Sequence, residues 1–242
     1  MKLLVVNPNT TASMTAKIGA AARSVAGTGT QIEAVNPAMG PVSIEGFYDE
    51  ALCLPGLLTE VAAGEKRGAH AVIVACFDDP GIDAARAMVG VPVIGICEAA
   101  MRMASLLGHR FTIVTTQAVS LPAMDGLIRR YGMADRGRAR AAGVPVLALE
   151  DPLSGAVTKV RAEIRAAIAE DQAECILLGC AGMADLARDL TEEMGLPVID
   201  GVAAAVKLAE ALVGLGLSTS KVGGYARPAA KAYTGMLAGF AP

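Results

Sequence analysis

Short apolar runs bounded by turn residues alternate with longer, Ala-rich amphipathic stretches along the whole chain. This is the pattern of β-strands alternating with crossover helices. It predicts strands near 2–6, 31–35, 70–75, 92–95, 111–115, 144–148, 175–179 and 197–199. Helices are expected near 11–26, 49–67, 81–88, 97–107, 117–131, 153–171, 183–194 and 201–215. Gly68, Gly90, Gly108 and Gly195 stand where four of those helices should stop, in line with the preference for glycine just past a helix C-terminus. The fold class is therefore α/β, with parallel-type sheets flanked by helices.

The pattern is also used twice. "AVIVACFDDPG" around Cys76 and "CILLGCAGMAD" around Cys180 each end an apolar run in a cysteine, and the two thiols stand 104 residues apart. "VPVIG" around Pro92 returns as "LPVID" around Pro197, at an offset of 105. A weaker pair joins "LLVVNPNTT" to "FTIVTTQAV", where Val6 and Val114 are 108 apart. Three pairs in one order at nearly one offset indicate an α/β unit present in two copies, with the cysteines on facing domains. The expected division is 1–96 plus 217–242 for the first domain and 97–216 for the second. The final segment, with Gly223, Gly224 and Pro228 as breakers before a helix-like stretch, is expected to return to the first domain.

Composition narrows the function. The 242 residues are 53% hydrophobic but only 3% aromatic, with no Trp, which suits buried strands between Ala-rich helices. The net charge is −3 and no basic cluster carries interleaved aromatics, so no nucleic-acid partner is expected. No uncharged apolar stretch reaches the ~20 residues of a membrane helix, and the N-terminal apolar run is too short for a signal peptide. Five cysteines, an odd number, do not read as a secreted disulfide framework. The expectation is a reduced, cytoplasmic protein with a small-molecule substrate and no membrane partner. Its weakly charged Ala-rich helices leave surface for a homo-oligomer.

Every polar or reactive turn follows a strand: "NPNTT" (7–11), "CFDDPG" (76–81), "TTQ" (115–117), "CAGM" (180–183) and "DG" (200–201). In a parallel sheet these emerge at the carboxyl ends of the strands, where ligands bind. His70 and His109, the only imidazoles, precede strands and lie at the opposite end. With no C-x-x-C, no metal is expected, and a hydrolase lacks its base. Phosphate-cradling glycine loops are missing too, so no cofactor is expected. Cys53, Cys97 and Cys175 have no repeat partner and read as structural. Cys76 and Cys180 remain. One thiolate can take a proton from carbon beside a carbonyl while the other thiol returns a proton from the far face, inverting the centre. A following helix N-terminus is expected to lower the pKa of the basic thiol.

The motifs "VVNPNTT", "ACFDDPG", "PVIGICEAA" (92–100), "VTT" (114–116) and "LLGCAGM" together resemble the aspartate/glutamate/hydantoin racemase superfamily, closest to its hydantoin and allantoin branch, over essentially the whole chain. The resemblance implies two pseudo-symmetric α/β domains with the active site between them, Cys76 and Cys180 as acid and base, and neither metal nor cofactor. It also implies that Asn9 and Thr10 hold substrate from one domain and Thr115 and Thr116 from the other.

Other readings stay open for some of these residues. Asn9 and Thr10 stand where a helix N-cap is expected, and Asp79-Pro80 reads as a helix start. Asp78 either faces away from Cys76 or binds a substrate N–H, because a carboxylate pointing inward would raise the thiol pKa. Glu98 either orders the site or is ordinary first-turn helix chemistry.

The cysteines are followed by Phe77-Asp78 and Ala181-Gly182, not by the Asn, Thr or Ser that resemblance to the amino-acid racemases would imply. Phe77 suits an apolar substituent, and the N–H groups of Ala181 and Gly182 suit a carbonyl gaining negative charge. A cyclic ureide is the expected substrate, specifically a 5-monosubstituted hydantoin. Allantoin, aspartate and a non-catalytic binding role are the alternatives.

Overall fold

In the computed structural model, which describes residues 1–242, the predicted alternation is built as two four-stranded sheets of parallel strands. The first contains β1 (Lys2–Val6), β2 (Gln31–Val35), β3 (Ala71–Val74) and β4 (Val93–Gly95) in the order β2-β1-β3-β4. The second contains β5 (Phe111–Thr115), β6 (Gly137–Ala141), β7 (Cys175–Leu178) and β8 (Val198–Asp200) in the corresponding order β6-β5-β7-β8. The repeat is thus a repeat of topology. Leu3 pairs with Ala71 and Val6 with Val74, as Phe111 pairs with Cys175 and Val114 with Leu178.

Because side chains alternate across a strand, each sheet buries two faces. Leu4, Val6, Val72 and Val74 pack outward against α2 (Phe47–Lys66) and α3 (Ile82–Met88). Leu3, Val5 and Ile73 point the other way, into a core shared with Phe111, Ile113 and Leu177 of the second sheet. α1 (Ala12–Val25), α4 (Ile96–Leu107) and α8 (Gly201–Gly214) fill that shared layer. Two of them cross over: α4 packs on β7 and β8, and α8 on β3, β4 and α1. On the outer face of the second sheet, α6 (Ala156–Glu170) and α7 (Ala187–Met194) cover Val114, Ile176 and Leu178. α5 (Leu121–Arg130) completes the second half next to β6.

Two expectations need correction. The apolar stretch 144–148 is not a strand; Val146–Glu150 forms a 3-10 turn, and the strand is β6, "GRARA". An edge strand needs no continuous apolar run, and Arg140 on β6 points into a cluster of Glu163, Glu170 and Asp171. The helix-like stretch after Pro228 carries only a 3-10 turn, Gly235–Phe240, with no buried residue, since its Ala/Gly-rich sequence offers no apolar stripe to hold a helix against the core. The segment before it does lie along the first half: Thr219 bonds to Gly90 and Val91, Lys221 to Arg86 and Ala87, and Tyr225 to Asp83. No helix is long and apolar enough to cross a membrane.

Candidate active site

The carboxyl ends of β1, β3, β5 and β7 open onto one cavity between the two halves, with about 430 Å³ of empty space including its mouth. Cys76 and Cys180 both line it, one from each half. Asn7 and Asn9 come from the β1–α1 turn, Met14 from the first turn of α1, and Ala75, Phe77 and Asp78 from the segment just after β3. Thr115, Thr116, Ser120, Gly179 and Ala181 come from the second half. Ile44 and Val146 close the sides from two irregular segments. Those segments are clasped together by the backbone N–H of Val146, which donates to the Glu45 carboxylate at 3.1 Å, and the second is tied to α1 by Ser13, which donates to Glu150 at 2.9 Å.

Of the expected site residues, Cys76, Cys180, Asn9, Phe77, Asp78, Thr115, Thr116 and Ala181 line the cavity, whereas Thr10 and Gly182 do not. The Thr10 N–H and hydroxyl both donate to the Pro41 carbonyl, at 2.9 and 3.3 Å, so this residue pins the loop that presents Ile44. Gly182 donates its N–H to the Cys180 sulfur at 3.4 Å. That donor serves the thiol, not a substrate carbonyl. Asn9 is not a helix N-cap, since α1 is preceded by Thr11. Its Oδ1 instead accepts from Asn7 Nδ2 at 2.8 Å and from the Thr11 N–H at 3.0 Å, making a rigid polar turn under the cavity. Thr115 donates to the Gly179 carbonyl at 3.2 Å, holding together the two strand ends beside Cys180.

The pattern does not single out Asn7, Met14, Ile44, Ala75, Ser120, Val146 and Gly179, which also line the cavity. Asn7 opens the "NPNTT" turn and was within reach of the same argument as Asn9. Ile44 lies in a segment without periodicity, and Val146 in an apolar stretch that reads as a strand but forms a 3-10 turn; both reach the site only through tertiary packing. His70 and His109 lie at the amino ends of β3 and β5, as expected, where the Lys2 N–H donates to His70 Nδ1. Cys97 and Cys175 sit in the shared core, and Cys53 is buried on α2, where its thiol donates to the Glu50 carbonyl. No group of three or more His, Cys, Asp or Glu side chains is arranged to hold a metal ion.

The electrostatics differ from expectation. Neither thiol is lowered. Burial pushes Cys76 well up and the Asp78 carboxylate pushes it further, against the opposing Asp78 N–H. Burial likewise pushes Cys180 up to about 11, with Gly182 N–H and Lys17 opposing and Asp78 and Glu45 adding to the rise. The helix termini are too far away to reverse this: α3 begins six residues beyond Cys76, and a 3-10 turn, not an α-helix, follows Cys180. Asp78 is itself pushed up to about 7, by burial first and then by Glu50 and Asp79. The resting site therefore holds two neutral thiols beside a carboxyl poised near neutrality.

Asp79 does not start α3, whose N-cap is Gly81 without a side-chain bond. It is buried, has φ of 45°, and accepts hydrogen bonds from three groups elsewhere in the chain: the N–H groups of Cys97 and Glu98, at 3.0 and 2.9 Å, and the Tyr131 hydroxyl at 2.7 Å. Glu98 pairs with Arg86 at 2.8 Å and Arg102 at 3.2 Å, away from the cavity lining.

Two α/β halves of the same strand order enclose one cavity, with a cysteine lining it from each half. The chain matches the Asp/Glu/Hydantoin racemase family model over residues 3–209, and it belongs to that family. It is a racemase. It is 48% identical to a hydantoin racemase of Rhizobium meliloti over 97% of this chain and 98% of that protein. A hydantoin racemase of Pseudomonas sp. (strain NS671) is 47% identical over 99% of this chain and 97% of its own. Among solved structures, an allantoin racemase from Klebsiella pneumoniae superposes with a TM-score of 0.97 at 47% identity, covering 100% of this chain and 99% of that one.

Proposed function

We propose that this racemase inverts C5 of 5-monosubstituted hydantoins, with Cys76 and Cys180 as the two proton carriers and no cofactor. The observation that carries the reading is the placement of one thiol from each half on the same cavity. One cysteine, as thiolate, takes the C5 proton, and the C–H electron pair moves onto the C4 carbonyl oxygen as an enolate. The other, as thiol, gives its proton to C5 from the opposite face and is left as the thiolate. The two residues have then exchanged roles, and the reverse reaction restores them. Protons and charge balance over one turnover.

The raised thiol pKa values bear on this chemistry in two ways. They leave little thiolate at neutral pH, but a thiolate formed under such conditions is a stronger base toward carbon. The N–H groups aimed at the two sulfurs, from Asp78 and Gly182, stabilise that thiolate. Asp78 is suited to accept a ring N–H, which would hold the ureide flat between the cysteines. Asn9, Thr115, Thr116 and Ala181 offer the remaining polar contacts, while Thr10 and Gly182 support the site from behind.

The apolar lining from Met14, Ile44, Phe77 and Val146 favours an alkyl or aryl C5 substituent. A second reading, allantoin, which carries a polar ureido group at C5, is favoured by the similarity to the Klebsiella pneumoniae enzyme. Loss of optical rotation of enantiopure 5-benzylhydantoin and of allantoin, followed side by side, decides between them. Faster loss with 5-benzylhydantoin is expected, and activity on allantoin alone would overturn the proposal.

A further inference from the structure

The two halves cap their equivalent helices with the same chemistry delivered from different places. α8 is capped by Asp200, just before it, whose own carboxylate accepts the N–H groups of Val202 and Ala203 at 3.0 and 2.8 Å. The repeat aligns Asp200 with Gly95 at the start of α4. The two cap residues have nearly the same backbone, φ −85° and ψ 126° against φ −84° and ψ 142°. Gly95 has no side chain to give. The two equivalent N–H groups, from Cys97 and Glu98, are taken by Asp79, which lies three residues beyond Cys76. A Cβ on Gly95 would collide with that carboxyl group.

We infer that Asp79 is a positioning residue for Cys76: by supplying the missing cap of α4 from outside the helix, it fastens the Cys76 turn to the layer between the two halves. The arrangement constrains the turn at several points. The Asp79 N–H donates back to the Cys76 carbonyl at 3.1 Å, closing a tight turn whose last residue has a φ that a non-glycine rarely adopts. The Asp79 carboxylate then reaches α4 on one side and Tyr131, at the end of α5 in the second half, on the other. The Cys76 turn is thus held to the half that carries Cys180. Cys180 has no such clamp. It caps its own 3-10 turn through Gly182, and its counterpart helix α8 is capped internally. A cap within α4, as in α8, would stabilise the helix equally well but would leave the Cys76 turn free.

The inference rests on Cys76 being a proton carrier, and its test separates capping from positioning. Three proteins are compared by thermal unfolding, hydantoin turnover and iodoacetamide alkylation of Cys76 relative to Cys180, read by mass spectrometry of their peptides. Asp79→Gly should lower the Tm by about 3 °C or more, as expected for a lost cap, and should cripple turnover. Asp79→Gly with Gly95→Asp moves the cap back into α4. It should recover the part of the Tm that the cap supplies, the remainder being the Tyr131 hydroxyl left without its acceptor, while turnover stays down by about tenfold or more and the Cys76/Cys180 alkylation ratio departs from wild type. Tyr131→Phe keeps the cap and removes only the hold from the second half. It should lower kcat with little change in KM and shift the same ratio. The inference is overturned if the double variant regains both stability and turnover. Should the double variant fail to fold, an unchanged kcat and alkylation ratio in Tyr131→Phe overturns it. Alkylation is read without turnover, so failure of the hydantoin reading would not be mistaken for failure of this one.

Discussion

Replacing Asp78 by Asn should lower the pKa of both thiols and yet reduce turnover. Asp78 lines the cavity with Cys76 and Cys180, and its charge raises the pKa of each. At an effective dielectric near 20, two unit charges about 6 Å apart repel by about 3 kcal/mol, or about two pKa units, and the effect halves at twice the distance. Cys76, two residues away in sequence, should respond most, with a fall of about one to two units, and Cys180 should fall by about one. Below the thiol pKa, each unit gained is about tenfold more thiolate. The assay is the rate of iodoacetamide alkylation of each cysteine between pH 7 and 10. Asn keeps the backbone N–H that faces the Cys76 sulfur, so the change isolates the carboxylate. Turnover of 5-benzylhydantoin should fall, because the acceptor for a ring N–H is lost. Alkylation profiles that superimpose on wild type would refute the electrostatic argument, and undiminished turnover would refute the substrate contact.

Because both thiols lie above their ordinary range, with Cys180 pushed up to about 11, kcat/KM should rise with pH from 7 to 9 without a maximum in that interval; a bell centred near 7 would count against a resting pair of neutral thiols. Stability should respond in the opposite sense. Asp78, pushed up to about 7 from 3.8 in the unfolded chain, holds a proton in the folded state that the unfolded state has lost. Its contribution is therefore complete below about pH 4 and is lost progressively as pH rises to about 7, on the order of 4 kcal/mol in all. The Tm should be higher at pH 5.5 than at pH 8, and Asp78→Asn should make that slope shallower without abolishing it, because burial also pushes Asp79 up to about 7 and Asp200 up to about 6; an unchanged slope in the variant would show that Asp78 takes no part in it. Val146→Asn places a polar group on the apolar side of the cavity and should shift the ratio of 5-benzylhydantoin to allantoin turnover toward allantoin by about tenfold, whereas an unchanged ratio would remove Val146 from the substituent's path.

The strands with continuous apolar runs were legible because burial on two faces demands such runs. β1, β3, β5 and β7, and with them the turns that hold Cys76 and Cys180, all follow that rule. β6 escaped it, since an edge strand with Arg138 and Arg140 carries its charge outward. The residues that were hardest to read act at a distance. Asp79 looks like a local helix start yet caps a helix that begins 17 residues further on, and Thr10 looks like a substrate contact yet secures a loop. Short-range patterns contain the chemistry of a turn but not the identity of the group that a tertiary contact brings to it. The thiol pKa values illustrate the same point: the sequence shows that an inward Asp78 would raise them, but only the fold decides that it lines the cavity and acts on both sulfurs.

The central claim is that two thiols on opposite faces carry the proton. Its most direct test is proton NMR of each enantiomer of 5-benzylhydantoin in deuterated buffer, with optical rotation in parallel, for the wild type, Cys76→Ser and Cys180→Ser, after subtraction of spontaneous exchange. The wild type should exchange the C5 proton and lose rotation from either enantiomer with nothing added, and each serine variant should lose racemisation. Racemisation at the wild-type rate by either variant would contradict the account.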